Sequence, residues 1–145
     1  MKYIEIGSYN PDCDYYNREA CFGIYVEDGK ILLALNVERN QIEMVGGGKQ
    51  SGETNEECLS REFMEEIGAK IEDLIPFADI KCYWKSEYAY MCTLAHFFTI
   101  SKLSFVNSKL TDHDFMFMSK EDAIKSVNLP YQKEATILFF DITQI

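Results

Sequence analysis

The stretch GGKQSGETNEECLSREFMEEIGA, Gly47–Ala69, places Glu62, Glu65 and Glu66 within five positions of a segment that reads as a helix. At about 100° per residue these carboxylates project within an arc of roughly 100°. Like charges four residues apart, here Glu62 and Glu66, destabilise an isolated helix by about 0.2–0.5 kcal/mol. Carboxylates in the last turns before Gly68 also oppose the helix dipole. Local stability therefore argues against the arrangement. A bound hard cation is what most readily offsets clustered carboxylates, and a solvated acidic face is the plain alternative.

The ends of this helix are written in the sequence. Thr54 as N-cap with Glu57 three residues on forms a capping box, so the helix is expected to start near Asn55, and Gly68 suits the C′ position. Leu59, Phe63 and Ile67 recur at i, i+4 and i+8 and form the buried stripe. The acidic arc is expected beside that stripe, at the rim rather than in the core.

Before the helix, CFGIYVEDGKILLALNV reads as two strands joined at Asp28-Gly29, a tight hairpin signal. ERNQIEMVGGGKQSGET reads as a glycine-rich loop around a short strand at Ile42–Val45. After the helix come two strands, AKIEDLIPFADIKCYW and YAYMCTLAHFFTISKL, the second long and central. A loop over Ser104–Asp114, a short strand FMFMS and a helix capped by Ser119 with Glu121 and Asp122 in its first turn follow. From Pro130 the chain reads as helical at first, while its β-branched and aromatic tail leaves the last residues open. This order predicts an α/β fold with a mixed sheet covered by helices, in one domain spanning 1–145.

With 47% apolar and 26% charged residues over 145 positions, the chain has the composition of a globular protein. Its formal charge of −10 disfavours attraction to nucleic-acid backbone or anionic membrane, and a polyanionic substrate would need a metal to mask it. The N-terminus lacks the apolar core of a signal peptide and no run of 18 apolar residues exists, so a cytoplasmic location and no membrane partner are expected. Cys13, Cys21, Cys58, Cys82 and Cys92 show no C-x-x-C spacing, which indicates neither a disulfide framework nor a zinc site.

GGGK invites comparison with a phosphate-binding P-loop, but Glu43 stands where that motif needs glycine and Gln50 follows Lys49. The longer pattern is different. Gly47, Glu53, Arg61-Glu62-Phe63, Glu65-Glu66 and Gly68 at their spacings closely resemble the Nudix box, a loop and helix that bind divalent metal in hydrolases of nucleoside diphosphates linked to another group. Ala69 is smaller than the usual final aliphatic residue and Val45 replaces the common proline; neither change removes a ligand. The hairpin before the box, LAHFF after it and DFMFMSKEDA fit the same family more loosely.

The resemblance implies an α/β/α sandwich and a Mg²⁺ site, with Mn²⁺ accepted by the same carboxylates. It implies Glu62, Glu65 and Glu66 as ligands, with Glu53 also in reach of the metal, and Arg61 paired with Glu53 to brace the loop. Gly46, Gly47 and Gly48 would let the backbone approach a pyrophosphate. The metal would polarise phosphoryl oxygens and acidify an attacking water. The general base is expected to be Glu62 or Glu65 in the box, or Asp114 in the TDHD run beside Asp112 and His113. His96, in an apolar strand, reads as a core or pocket residue before a catalyst. Tyr83, Trp84, Tyr88 and Tyr90 offer an aromatic platform for a base, against an ordinary packing role.

The function expected from these residues is a Mg²⁺-dependent pyrophosphohydrolase acting on a nucleoside triphosphate or nucleoside diphosphate derivative, with a homodimer possible. A non-catalytic nucleotide sensor on the same fold is the alternative, although such modules usually show eroded box carboxylates. An isoprenoid diphosphate isomerase would be expected to need a further catalytic Cys and Glu and a longer chain.

Overall fold

The computed structural model describes residues 1–106 and 111–144. Residues 107–110, inside the loop expected over Ser104–Asp114, and Ile145 lie outside the described residues. The strands are β1 (Lys2–Ile6), β2 (Tyr15–Ile24), β3 (Val26–Glu27), β4 (Lys30–Asn36), β5 (Gln41–Glu43), β6 (Val45–Gly48), β7 (Ala69–Lys85), β8 (Tyr90–Phe105) and β9 (Asp114–Met118). The helices are α1 (Asn55–Ile67), α2 (Lys120–Ser126) and α3 (Pro130–Thr143).

Five strands form a mixed sheet in the order β1-β7-β8-β2-β6, with β1/β7 and β2/β8 parallel and β7/β8 and β2/β6 antiparallel. The long strand β8 is central, as its apolar run predicts. In a second sheet, β3 and β5 pair with successive stretches of β4 and β9 pairs along it. Asp28 (φ 52°) and Gly29 (φ 75°) both take positive φ, the geometry of a type I′ hairpin turn.

Strand alternation divides the core in two. Ile31 and Leu33 of β4 join Phe22, Phe97, Tyr131 and Phe140 on the α3 side, while Leu32 and Ala34 join Leu59, Phe63 and Ile67 on the α1 side. Each fully buried aliphatic or aromatic side chain contributes about 1.5–3 kcal/mol, and this burial fixes α1 against β6. The arrangement is an α/β fold with the mixed sheet between helices.

Two elements differ from the sequence expectation, and the tail of α3, which it left open, is helical. Gly46, Gly47 and Gly48 lie in a strand, not a loop: Phe22 pairs with Gly46 and Cys21 with Gly47. Gly46 has φ 148°, and an added Cβ would stand 2.1 Å from the Cys21 carbonyl oxygen, so only glycine permits this pairing. Helix α3 continues to Thr143 despite its β-branched tail, because Tyr131, Ala135, Phe139 and Phe140 bury one face. Strand β1, pairing in parallel with β7, has no counterpart in the sequence reading.

The capping box is formed as expected. Thr54 Oγ1 accepts the Glu57 N–H at 3.1 Å and Glu57 Oε1 accepts the Thr54 N–H at 3.0 Å, and Gly68 closes the helix at φ 66°. Thr54→Ala is expected to cost about 1 kcal/mol, lowering the thermal midpoint by roughly 4 °C; an unchanged midpoint in calorimetry would show that α1 does not depend on this cap.

Candidate functional site

The site is organised by Arg61. Its Nε and Nη2 donate to the two carboxylate oxygens of Glu53 at 2.6 and 3.0 Å, a two-pronged contact between α1 and the preceding loop. Nη2 also reaches the Gly48 carbonyl at 3.0 Å, and Nη1 is shared by Glu62 at 3.0 Å and Glu65 at 3.2 Å. The Gln50 N–H donates to Glu53 as well, at 2.7 Å. Arg61 and that N–H hold the Glu53 carboxyl down to about 2. In return the carboxylates raise the pKa of the Arg61 guanidinium.

The three glutamates of the acidic arc have separate environments. Glu65 is exposed and Glu62 half-buried, and burial raises the Glu62 carboxyl against the pull of Arg61. Glu66 is only 6% exposed, deeper than the rim position the helix pattern predicts. Its Oε2 accepts the Gly46 N–H at 2.8 Å, and its Oε1 lies 3.4 Å from His113 Nε2. Burial pushes Glu66 up to about 9 against the pull of that N–H, with the charges of Glu62, Glu43 and Asp112 adding to the rise.

Glu62 and Glu66 face a cavity of about 180 Å³ that Gly46, Gly47 and Gly48 also line. Glu62 packs so tightly on β6 that a Cβ at Gly47 would stand 2.6 Å from its Oε1. Asp112 and His113 form part of the wall, because their N–H groups donate to the Glu65 and Glu66 carbonyls at 3.0 Å and satisfy the C-terminal end of α1. Asp114, the first residue of β9, is exposed and not part of the cavity wall.

Of the ligand set implied by the box, Glu62 and Glu66 share the cavity, while Glu53 and Glu65 turn to Arg61. Among the described residues no three His, Cys, Asp or Glu side chains converge as a ready-made cation cage. The donor chemistry nonetheless fits a hard divalent ion. Mg²⁺ keeps several waters and takes one or two carboxylates plus substrate oxygens, and the buried Glu66 beside other acids gains from any positive charge.

The remaining candidates lie elsewhere. His96 sits between Asp79, 2.7 Å from Nδ1, and Glu19 at Nε2, away from the cavity. Trp84 packs on Tyr131 at 5.8 Å between ring centroids and donates its indole N–H to Thr93 at 3.0 Å, a packing role. Tyr83 and Tyr90 join Tyr15 in an aromatic cluster, and Tyr88 is 90% exposed. All five cysteines carry free thiols. Sequence reasoning missed Arg18, Asn36, Arg39, Glu43 and Tyr131, which also line the cavity. The available signal was a polar residue in an apolar strand, Asn36 closing ILLALN and Glu43 between Ile42 and Met44.

A family model described as NUDIX domain matches residues 17–134. No curated protein matches the sequence. Among solved structures, the mutator MutT protein from Bacillus halodurans is 16% identical, with 82% of this chain and 79% of that chain covered and a TM-score of 0.68. The E. coli ORF135 protein is 20% identical, covering 89% and 92%, also at 0.68. A protein described as an ADP compounds hydrolase is 18% identical, covering 90% and 75%, at 0.66. At these identities the likeness is one of fold.

Glu66 has a measurable consequence in metal-free protein. Its folded value of about 9 exceeds the ordinary 4.5, so the native state holds a proton that the unfolded chain releases between those values. That stabilisation is complete below about pH 4.5 and is lost as pH rises through about 9. Glu66→Gln should therefore melt close to the wild type at pH 5 and several degrees above it at pH 9, by calorimetry in chelator. A constant difference across that range would show that Glu66 titrates like an exposed carboxylate.

Proposed function

The chain belongs to the Nudix hydrolase family, and we propose that it is a Mg²⁺-dependent pyrophosphohydrolase, with Mn²⁺ accepted, that cleaves the diphosphate linkage of a nucleoside triphosphate or nucleoside diphosphate derivative. The observation that carries this reading is Glu66, buried at the cavity wall on the Gly46 N–H with Glu62 beside it.

In this reading Glu62 and Glu66 hold the cation, with Glu65 and Glu53 completing the acidic surround. When bound, the cation supplies charge neutralisation at the diphosphate and acidifies an attacking water. The chain does the rest. Arg61 fixes the loop, β6 and α1 relative to one another through Glu53, Gly48 and Glu62, so the carboxylates stay in place as charge develops. Gly46, Gly47 and Gly48 keep the cavity wall free of side chains where phosphate oxygens approach. Arg18 lies beside Gly48, with Nε 3.4 Å from where a Cβ would be, and offsets part of the phosphate charge. Proton removal from water falls to Glu62 or Glu65 within the box; Asp112, at the wall, has better access than Asp114.

The family model over residues 17–134 and the intact charged positions of the box support hydrolysis over mere sensing. The test is phosphate and pyrophosphate release from nucleoside triphosphates, nucleotide sugars and dinucleotides, with Mg²⁺, Mn²⁺ or chelator. Metal-dependent release is expected, reduced at least 100-fold in Glu66→Gln. Silence across the panel together with thermal stabilisation by nucleotide would instead establish a sensor, and full activity in Glu66→Gln would remove Glu66 from the mechanism.

A further inference from the structure

Met44 stands where the chain passes from one sheet to the other. Glu43 before it pairs with Ala34 in the second sheet, and Val45 after it pairs with Gly23 in the first. Met44 is 1% exposed, and its N–H has no strand opposite to receive it. A buried backbone donor of this kind calls for a partner from elsewhere in the fold. That partner comes from 88 residues away: Gln132 Oε1 accepts the Met44 N–H at 2.7 Å.

Gln132 is itself 1% exposed and stands with Tyr131, Ala135, Thr136 and Phe139 on the buried face of α3, where helix amphipathicity calls for apolar side chains. One turn on, Thr136 Oγ1 lies 4.0 Å from Met44 Sδ, so α3 touches this residue at both backbone and side chain. The same edge continues into the site. In extended chain every second residue turns its backbone groups to the same edge. Along 44, 46 and 48 three side chains meet those groups: Gln132 takes the Met44 N–H, Glu66 Oε2 takes the Gly46 N–H at 2.8 Å, and Arg61 Nη2 donates to the Gly48 carbonyl at 3.0 Å. Glu66 and Arg61 belong to α1. Gln132 comes from α3 and lines the same cavity.

We infer that Gln132 is a positioning residue for the site: by fixing the crossing at Met44 it aims the Gly46 N–H at Glu66, and so sets where that carboxylate stands in the cavity. Glycine has the widest backbone freedom of any residue, so a run of three is held by its neighbours rather than by itself. On the edge away from β2 those neighbours are Gln132 at one end and Arg61 at the other. The neutral amide suits this place. It accepts the N–H without bringing another negative charge to a cavity already lined by Glu43, Glu62 and Glu66. An aliphatic side chain of the same length would fill the space and leave the Met44 N–H unpaired. The free edge of the glycine run would then be fixed at Gly48 alone, and Glu66 would keep its burial but lose its orientation.

This inference rests on the reading of the cavity as a cation site, and its test separates the two. Amide exchange is followed residue by residue by NMR in metal-free protein, and Mn²⁺ affinity by electron paramagnetic resonance, for the wild type, Gln132→Met and Thr136→Ala. In Gln132→Met, exchange at Met44 and Gly46 is expected to rise at least tenfold relative to Ala95 and Phe97 of the central strand β8, and Mn²⁺ to bind at least fivefold more weakly. Thr136→Ala, which disturbs α3 and leaves the Gln132 amide in place, should do neither. A wild-type Met44 amide exchanging at the rate of an unfolded chain would overturn the inference without requiring any variant to fold. So would exchange at Gly46 unchanged in Gln132→Met, or a rise shared equally by Ala95 and Phe97, the mark of lost stability alone. The expected local rise with no Mn²⁺ binding by the wild type at millimolar concentration would keep the hold of Gln132 on Gly46 and refute the cation reading, whereas Mn²⁺ binding that Gln132→Met leaves intact would do the reverse.

Discussion

The guanidinium of Arg61 is the contact on which the site depends. A planar fork of donors meets Glu53 with two prongs, crosses to the Gly48 carbonyl and still reaches Glu62 and Glu65. Lysine, a point charge on a flexible stem, has no equivalent geometry. The same contact resolves the crowding that the helix pattern poses. Glu62 and Glu65 share one nitrogen of Arg61, so part of their repulsion is offset within the helix itself. Glu66 lies on the far side of this arrangement and meets the Gly46 N–H instead. One cation on α1 therefore splits three like charges into two that are paired and one that is buried.

That division is transmitted to the strand opposite. Glu62 sits where a Cβ on Gly47 would be, and the Gly46 backbone sits where a side chain would break pairing with β2. Helix and strand approach closely only because neither glycine carries a side chain. The glycines thus serve packing as well as access: they set the distance at which a carboxylate on α1 and an N–H on β6 can meet. Beside the acidic arc, Leu59, Phe63 and Ile67 anchor the helix in apolar contacts that owe nothing to the carboxylates.

Local rules were enough to read α1, since the Thr54 box, the Gly68 terminus and the apolar stripe are all short-range features. The hairpin at Asp28-Gly29 and the helix capped by Ser119 were legible for the same reason. The glycine run was not, because a triple glycine has the composition of a loop and its extended form depends on pairing with β2, distant in sequence. The C-terminal tail of α3 was equally a tertiary matter: β-branched residues stay helical where Phe139 and Phe140 are covered by the sheet. Within the site, the charged positions of the box could be found by spacing, but the depth of Glu66 could not, since a helical wheel gives direction and not the distance to the next layer. Glu43 and Asn36 were hidden because β5 is too short to show a period, and only the β4/β5 pairing brings them together.

The buried end of the box bears on whether a cation is needed for folding. Structural metal sites are typically unfolded without their ion, because the chain has no other way to neutralise clustered ligands. Here each carboxylate of the arc already has a protein partner or, for Glu66, access to a proton held up to about 9. The two apolar clusters close without drawing on any of them. A proton would compete with a divalent cation for Glu66, since either offsets the buried charge. On the proposed function the cation would have the larger charge and the substrate oxygens on its side. On the proposed function, occupancy by metal would be linked to substrate rather than to the native state, in keeping with the one or two carboxylates and several waters that Mg²⁺ takes.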